Sequence, residues 1–142
     1  MKRILILHNK YQNIGGEDIA VQNEIDFLKR FYNVETLFFD NKVKNLFDLK
    51  FLLFSNNKKS NLTLKKKIKE FDPEFVYVHN TWFKASLGIF DVLEEEKINT
   101  ILKIHNFRYY CTHSASSKNH LGKNQFCHAC GYSPSRKKYF NK

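Results

Sequence analysis

Three histidine–asparagine pairs, His8-Asn9, His79-Asn80 and His105-Asn106, each close a short apolar run. An imidazole hydrogen-bonds a hydroxyl or a phosphate oxygen near neutral pH, and open parallel sheets place their chemistry at the carboxyl ends of strands. The plainer reading has Asn ending the strand and His filling the turn. It suffices for one pair, whereas three at equivalent positions favour a common cleft. Gly15-Gly16 precedes a predicted helix, where glycine lets backbone N–H groups approach an anion at the positive helix end. The pair is neither the G-x-G-x-x-G fingerprint nor a P-loop with its lysine, and a tight turn also uses two glycines. Glu17 suits a sugar hydroxyl or, as the default, the start of the helix. Arg108, inside the third motif, offers a guanidinium that can clamp phosphate.

A second cluster follows: Cys111, then Cys127-x-x-Cys130. The paired spacing suits half of a tetrahedral zinc site, with Cys111 as a third ligand. There is no fourth cysteine, so His113, His120 or His128 would have to complete the shell, or the ligand lies elsewhere. The alternative is three reduced, unliganded thiols.

The elements that must carry these groups are legible from periodicity. Lys2 to Leu7 is a continuous apolar run, as in a strand buried on both faces. A helix is predicted from Glu17-Asp18, with Val21, Ile25, Leu28 and Tyr32 facing a sheet and Asn33 breaking it. Val34 to Phe39 is the second strand, which completes a βαβ unit. Val43 to Phe54 favours a helix, and Ser55 to Ser60 is a polar break. Leu62 to Phe71 is another helix, with Leu64, Ile68 and Phe71 inward and Lys65, Lys66, Lys67 and Lys69 mostly outward. Asp72-Pro73 stops it. Phe75 to Val78 is the third strand, Ala85 to Glu96 a helix, and Asn99 to Ile104 a fourth strand. The alternation predicts an α/β domain, a Rossmann-like parallel sheet flanked by helices over residues 1–110. An irregular Cys-containing extension follows over 111–142.

Composition bounds the rest. A chain of 142 residues with 42% hydrophobic content, 14 Phe and 7 Tyr supports one core and argues against disorder. The net charge of +10 calls for an anionic partner: nucleic acid, an anionic membrane or a phosphorylated substrate. Compositional drift in a low-GC genome, rich in Lys, Asn, Ile and Phe codons, is the bland alternative. The lysines from Lys58 to Lys69, beside the Phe-rich 47–54 stretch, suit an anionic bilayer or simply a solvated helix face. No secretory signal is visible, and 51–54 is too short to span a bilayer. Three cysteines, an odd number, read as reduced thiols or ligands, so a cytoplasmic location is expected, with peripheral contact at the inner membrane face.

Taken together, the residues resemble the N-terminal half of family 4 glycosyltransferases. The resemblance rests on Gly-Gly-Glu-Asp at 15–18, Asn23-Glu24, His-Asn-Thr at 79–81, His-Asn-Phe-Arg-Tyr-Tyr-Cys at 105–111 and Cys-His-Ala-Cys at 127–130. It implies one half of a GT-B fold: an acceptor-side Rossmann-like domain facing a donor-binding one. It implies retaining, hexosyltransferase-like transfer from a nucleotide sugar to a saccharide or lipid-linked acceptor, as in polysaccharide or glycolipid assembly, with no cofactor required for catalysis. By motif, His105 would position the reacting sugar, and Gly15 and Gly16 would lie near the donor diphosphate. Glu17, His79, Asn80, Asn106 and Arg108 would line the acceptor side. Cys111, Cys127 and Cys130 remain candidate ligands of a structural zinc. Tyr77 stands where the family often has another His, and Thr112-His113 replaces a common Pro-Asn. No second Rossmann pattern follows the Cys pair, so the expectation is a truncated or split enzyme that lacks full activity alone and pairs with a separate donor-domain chain.

Two rivals stand beside this. A basic zinc-knuckle nucleic-acid binder accounts for the charge and Cys-x-x-Cys but not for the His-Asn pairs or Gly-Gly-Glu-Asp; no nucleic-acid partner is therefore expected. The other is a non-catalytic subunit of a split glycosyltransferase, which docks on a separate donor-domain chain.

Overall fold

The computed structural model describes residues 1–42, 56–82 and 84–105. The chain divides into two compact units, Met1–Lys103 and Ile104–Lys142, and only Ile104 and His105 of the second are among the described residues. The helix expected over 43–54 lies outside them.

In the first unit, strands β1 (Arg3–Lys10), β2 (Asn33–Asp40), β3 (Phe75–Asn80) and β4 (Asn99–Leu102) form one sheet in the order β2-β1-β3-β4, every neighbouring pair parallel. Helices α1 (Gly16–Leu28), α2 (Lys58–Phe71) and α3 (Gly88–Glu95) connect and flank it. Alternation along the strands divides the core in two. Ile6 faces Val21 and Ile25 of α1, with Ile4, Leu28, Val34, Phe38 and Tyr77 packed around them. Leu5, Leu7, Val76 and Val78 face the other way, onto Leu64, Ile68 and Phe71 of α2 and Ile89, Val92 and Leu93 of α3. This is the parallel α/β arrangement expected, compatible with a Rossmann-like fold.

Element ends differ from the periodicity reading for local reasons. Asn57 caps α2, its Oδ1 accepting from the N–H groups of Lys59 (3.1 Å) and Ser60 (3.5 Å). The helix therefore begins at Lys58, inside the stretch that looks like a polar break. Asp72, in the left-handed region at φ 50°, ends it ahead of Pro73. Tyr32 lies beyond α1, in a turn where its N–H donates to the Leu28 carbonyl (2.9 Å). Strand β4 stops at Leu102, two residues short of the expected end. His8-Asn9 and His79-Asn80 are thus the closing residues of paired strands, whereas His105 lies three residues past its strand and in the second unit. Among the described residues, no helix is long and apolar enough to cross a membrane.

Candidate functional site at the carboxyl strand ends

Parallel β1 and β3 end side by side, and a register irregularity between Leu7 and His8 pairs His8 with Asn80. His8 and His79, each 1% exposed, meet edge to face with ring centroids 6.3 Å apart. His8 also meets the Phe38 ring of β2 edge-on at 6.3 Å.

The start of α1 holds His8 in place. His8 Nε2 lies 3.0 Å from Asp18 Oδ1, and Asp18 Oδ2 accepts from the Gly15 N–H at 3.0 Å. Burial pushes the Asp18 carboxyl up, but the Gly15 N–H, the His8 ring and the Tyr11 N–H outweigh it and hold the carboxyl below its ordinary value. An ionised carboxylate only accepts, so the proton between the two residues belongs to His8 Nε2. His8 Nδ1 is then buried without a hydrogen-bond partner among the described residues. Glu17, next to Asp18, is half satisfied: Oε2 accepts from the Tyr11 hydroxyl at 2.9 Å, while Oε1 is buried without a partner among the described residues.

Gly15 and Gly16 open this helix, Gly15 in an extended conformation at φ −116°. A Cβ on Gly16 would meet nothing within 4 Å, and one on Gly15 would meet only Asp18 Oδ2 at 3.8 Å. Packing among the described residues therefore does not demand glycine at either position.

The asparagines of the two pairs have a different employment. Asn9 donates to Asn41 Oδ1 (2.7 Å) and the Lys10 carbonyl (3.3 Å) and accepts from the Ala85 N–H (2.8 Å). Asn80 donates to the Asn9 carbonyl (3.2 Å) and accepts from the Trp82 N–H (2.9 Å). Asn41 donates in turn to the Trp82 carbonyl at 2.7 Å. These amides stitch the strand ends to the loops after β2 and β3, which satisfies buried backbone groups that would otherwise cost free energy.

A second constellation centres on Glu24 of α1. Its Oε2 accepts from the Tyr77 hydroxyl (2.9 Å) and lies 3.8 Å from His79 Nε2, while Oε1 pairs with Lys103 Nζ. Burial pushes the Glu24 carboxyl up, yet Lys103, Tyr77 and His79 together bring it below its ordinary value. Burial, then the hydrogen bond to Glu24 and its charge, push the Tyr77 phenol well up. The Tyr77 and His79 rings lie 4.3 Å apart.

Sequence reading did not single out Asp18 as the partner of His8, nor the group formed by Glu24, Tyr77 and Lys103. One signal was available: Asp18 and Glu24 share the helical face of Val21, Ile25 and Leu28, so two carboxylates interrupt a stripe that points at the sheet. Of the other sequence-predicted positions, His105 is partly buried in the second unit. Asn106, Arg108, Cys111, Cys127 and Cys130 lie outside the described residues, as do His113, His120 and His128. Among the described residues, no three His, Cys, Asp or Glu side chains are grouped to hold a metal ion.

Comparison with protein-family models, with curated proteins and with solved structures finds no match to this chain.

Proposed function

We propose that this chain is the acceptor-side half of a GT-B glycosyltransferase, transferring sugar from a nucleotide sugar to a saccharide or lipid-linked acceptor. The observation that carries the reading is the β1–α1 junction. There His8, its Nε2 committed to Asp18, keeps Nδ1 over, and Glu17 keeps Oε1 over, beside two glycines that packing does not require. Both leftover atoms accept hydrogen bonds when His8 is neutral. Sugar hydroxyls supply the missing donors; the Gly15 N–H is taken by Asp18, and in this reading a diphosphate meets the helix start over the open space at Gly16.

In this reading His8, His79 and Glu17 hold acceptor hydroxyls, and Gly15 and Gly16 face the donor diphosphate. By the motif resemblance, His105 positions the reacting sugar and Asn106 and Arg108 serve the acceptor side. Asn80 acts through the backbone it braces. Transfer then requires a donor-binding half, in this chain's continuation or in a partner chain. A structural zinc on Cys111, Cys127 and Cys130 belongs to the same reading, and elemental analysis of the purified protein tests it.

The site is tested by titrating the full chain with saccharides, lipid-linked saccharides and nucleotide sugars while following the His8 and His79 imidazole nitrogens by NMR. Saturable shifts at these rings with a saccharide are expected. No shift with any of the three ligand classes would remove the proposal.

A further inference from the structure

Helix α2 has two faces with opposite assignments. Ser60, Leu64, Ile68 and Phe71 are buried, the last three in the core beneath the sheet. A helix advances about 100° per residue, so the opposite face is centred on Leu62, with Lys58, Lys59, Lys65, Lys66 and Lys69 all within about 60° of it. Leu62 is 68% exposed at the middle of this ring of ammonium groups. Leu62, Lys65, Lys66 and Lys69, with Glu70, also line a shallow groove of about 410 Å³. Two of the lysines are paired with acids: Lys65 with Glu95 of α3 (2.6 Å) and Lys66 with Glu70 of the groove wall (3.6 Å).

The placement of Lys58 and Lys59 departs from what helix stability favours. They occupy the first turn of α2, which has no acid, whereas α1 carries Glu17 and Asp18 there. Cations at the positive end of a helix are unfavourable, and neither lysine packs in the core. A local rule broken with no gain in packing points to selection for something outside the fold.

We propose that α2 docks the protein on an anionic lipid bilayer, with Leu62 entering the headgroup region and the five lysines meeting lipid phosphates. An exposed apolar residue ringed by lysines is the arrangement of an interfacial helix, and long lysine stems let the charge stay at headgroup level while the helix lies flat. Nucleic acid fits less well. The face carries no arginine for bidentate phosphate or base contacts and no aromatic ring for stacking. The surface is independent of the sugar-transfer reading and stands or falls separately.

The experiment is flotation of the full chain with vesicles of phosphatidylcholine alone and of phosphatidylcholine with phosphatidylglycerol, at low and raised salt. Binding to the anionic vesicles only, weakened by salt, is expected. Each lysine near an anionic surface is worth about fivefold in partitioning, so the double variant Lys58→Glu/Lys59→Glu should bind at least ~25-fold more weakly. The same substitutions put acids at the helix start and should leave the melting temperature equal or higher, which separates lost binding from lost folding. Leu62→Ser should weaken binding several-fold at unchanged stability. Equal binding to both vesicle types, or lysine variants that bind as wild type does, would overturn the proposal. So would salt-sensitive capture of DNA or RNA with no vesicle binding.

Discussion

Asp18 joins three pieces of backbone through one carboxylate, and its replacement offers the sharpest test of the site. Oδ1 takes the His8 Nε2–H at 3.0 Å, and Oδ2 takes the Gly15 N–H at 3.0 Å. The side chain is only 10% exposed and His8 only 1%. Asp18→Ala removes a cap-type hydrogen bond worth about 1 kcal/mol. It also leaves a buried His8 N–H unsatisfied, at about 2 kcal/mol. The loss should therefore be about 3 kcal/mol, a large part of the 5–15 kcal/mol that holds a typical domain together. Asp18→Asn keeps one acceptor but turns an NH₂ toward a second donor, and should cost about 2 kcal/mol.

The charge sets a pH signature as well. Because the folded-state pKa of Asp18 lies below its ordinary value of 3.8, its contribution is full above that value. It is lost as pH falls through the depressed folded value. Urea unfolding followed by circular dichroism over a pH series should show wild type and Asp18→Asn well separated near neutrality and converging in strong acid. Equal stabilities at neutral pH, or a gap that does not change with pH, would refute the assignment of an ionised Asp18 to His8.

Two further outcomes test the same edge. Gly16→Ala places a methyl in open space at the first position of α1. It should raise stability by about 0.5–1 kcal/mol in thermal unfolding, while weakening nucleotide-sugar binding by calorimetry if the backbone there receives a diphosphate. Glu24→Gln keeps a hydrogen-bond acceptor for Tyr77 but removes the negative charge beside it and the ion pair with Lys103. Tyr77 should then ionise at lower pH than in wild type, read from its labelled ring carbon by NMR; an unchanged titration would detach Glu24 from Tyr77.

Repeating apolar spacing alone determined the alternation of strands and helices and which faces are inward, because burial on one side imposes period 3.6 on a helix and a continuous apolar run on an interior strand. Val21 and Ile25, and Leu64, Ile68 and Phe71, stand where that period puts them. The His-Asn pairs at 8–9 and 79–80 could be placed at strand ends for the same reason. What the pairs do was decided only by the tertiary structure. Asn9 meets Ala85 across 76 positions, Glu24 meets Tyr77 across 53, and Lys103 meets Glu24 across 79. Periodicity states that a residue faces inward, but the sheet order β2-β1-β3-β4 decides whom it meets. The amides therefore serve the backbone and the imidazoles meet carboxylates of α1, a division of labour that no spacing of His beside Asn encodes. The third pair shows the same limit: an apolar run continues to Ile104, but the ladder to β3 ends at Leu102, where strand pairing rather than hydropathy sets the boundary.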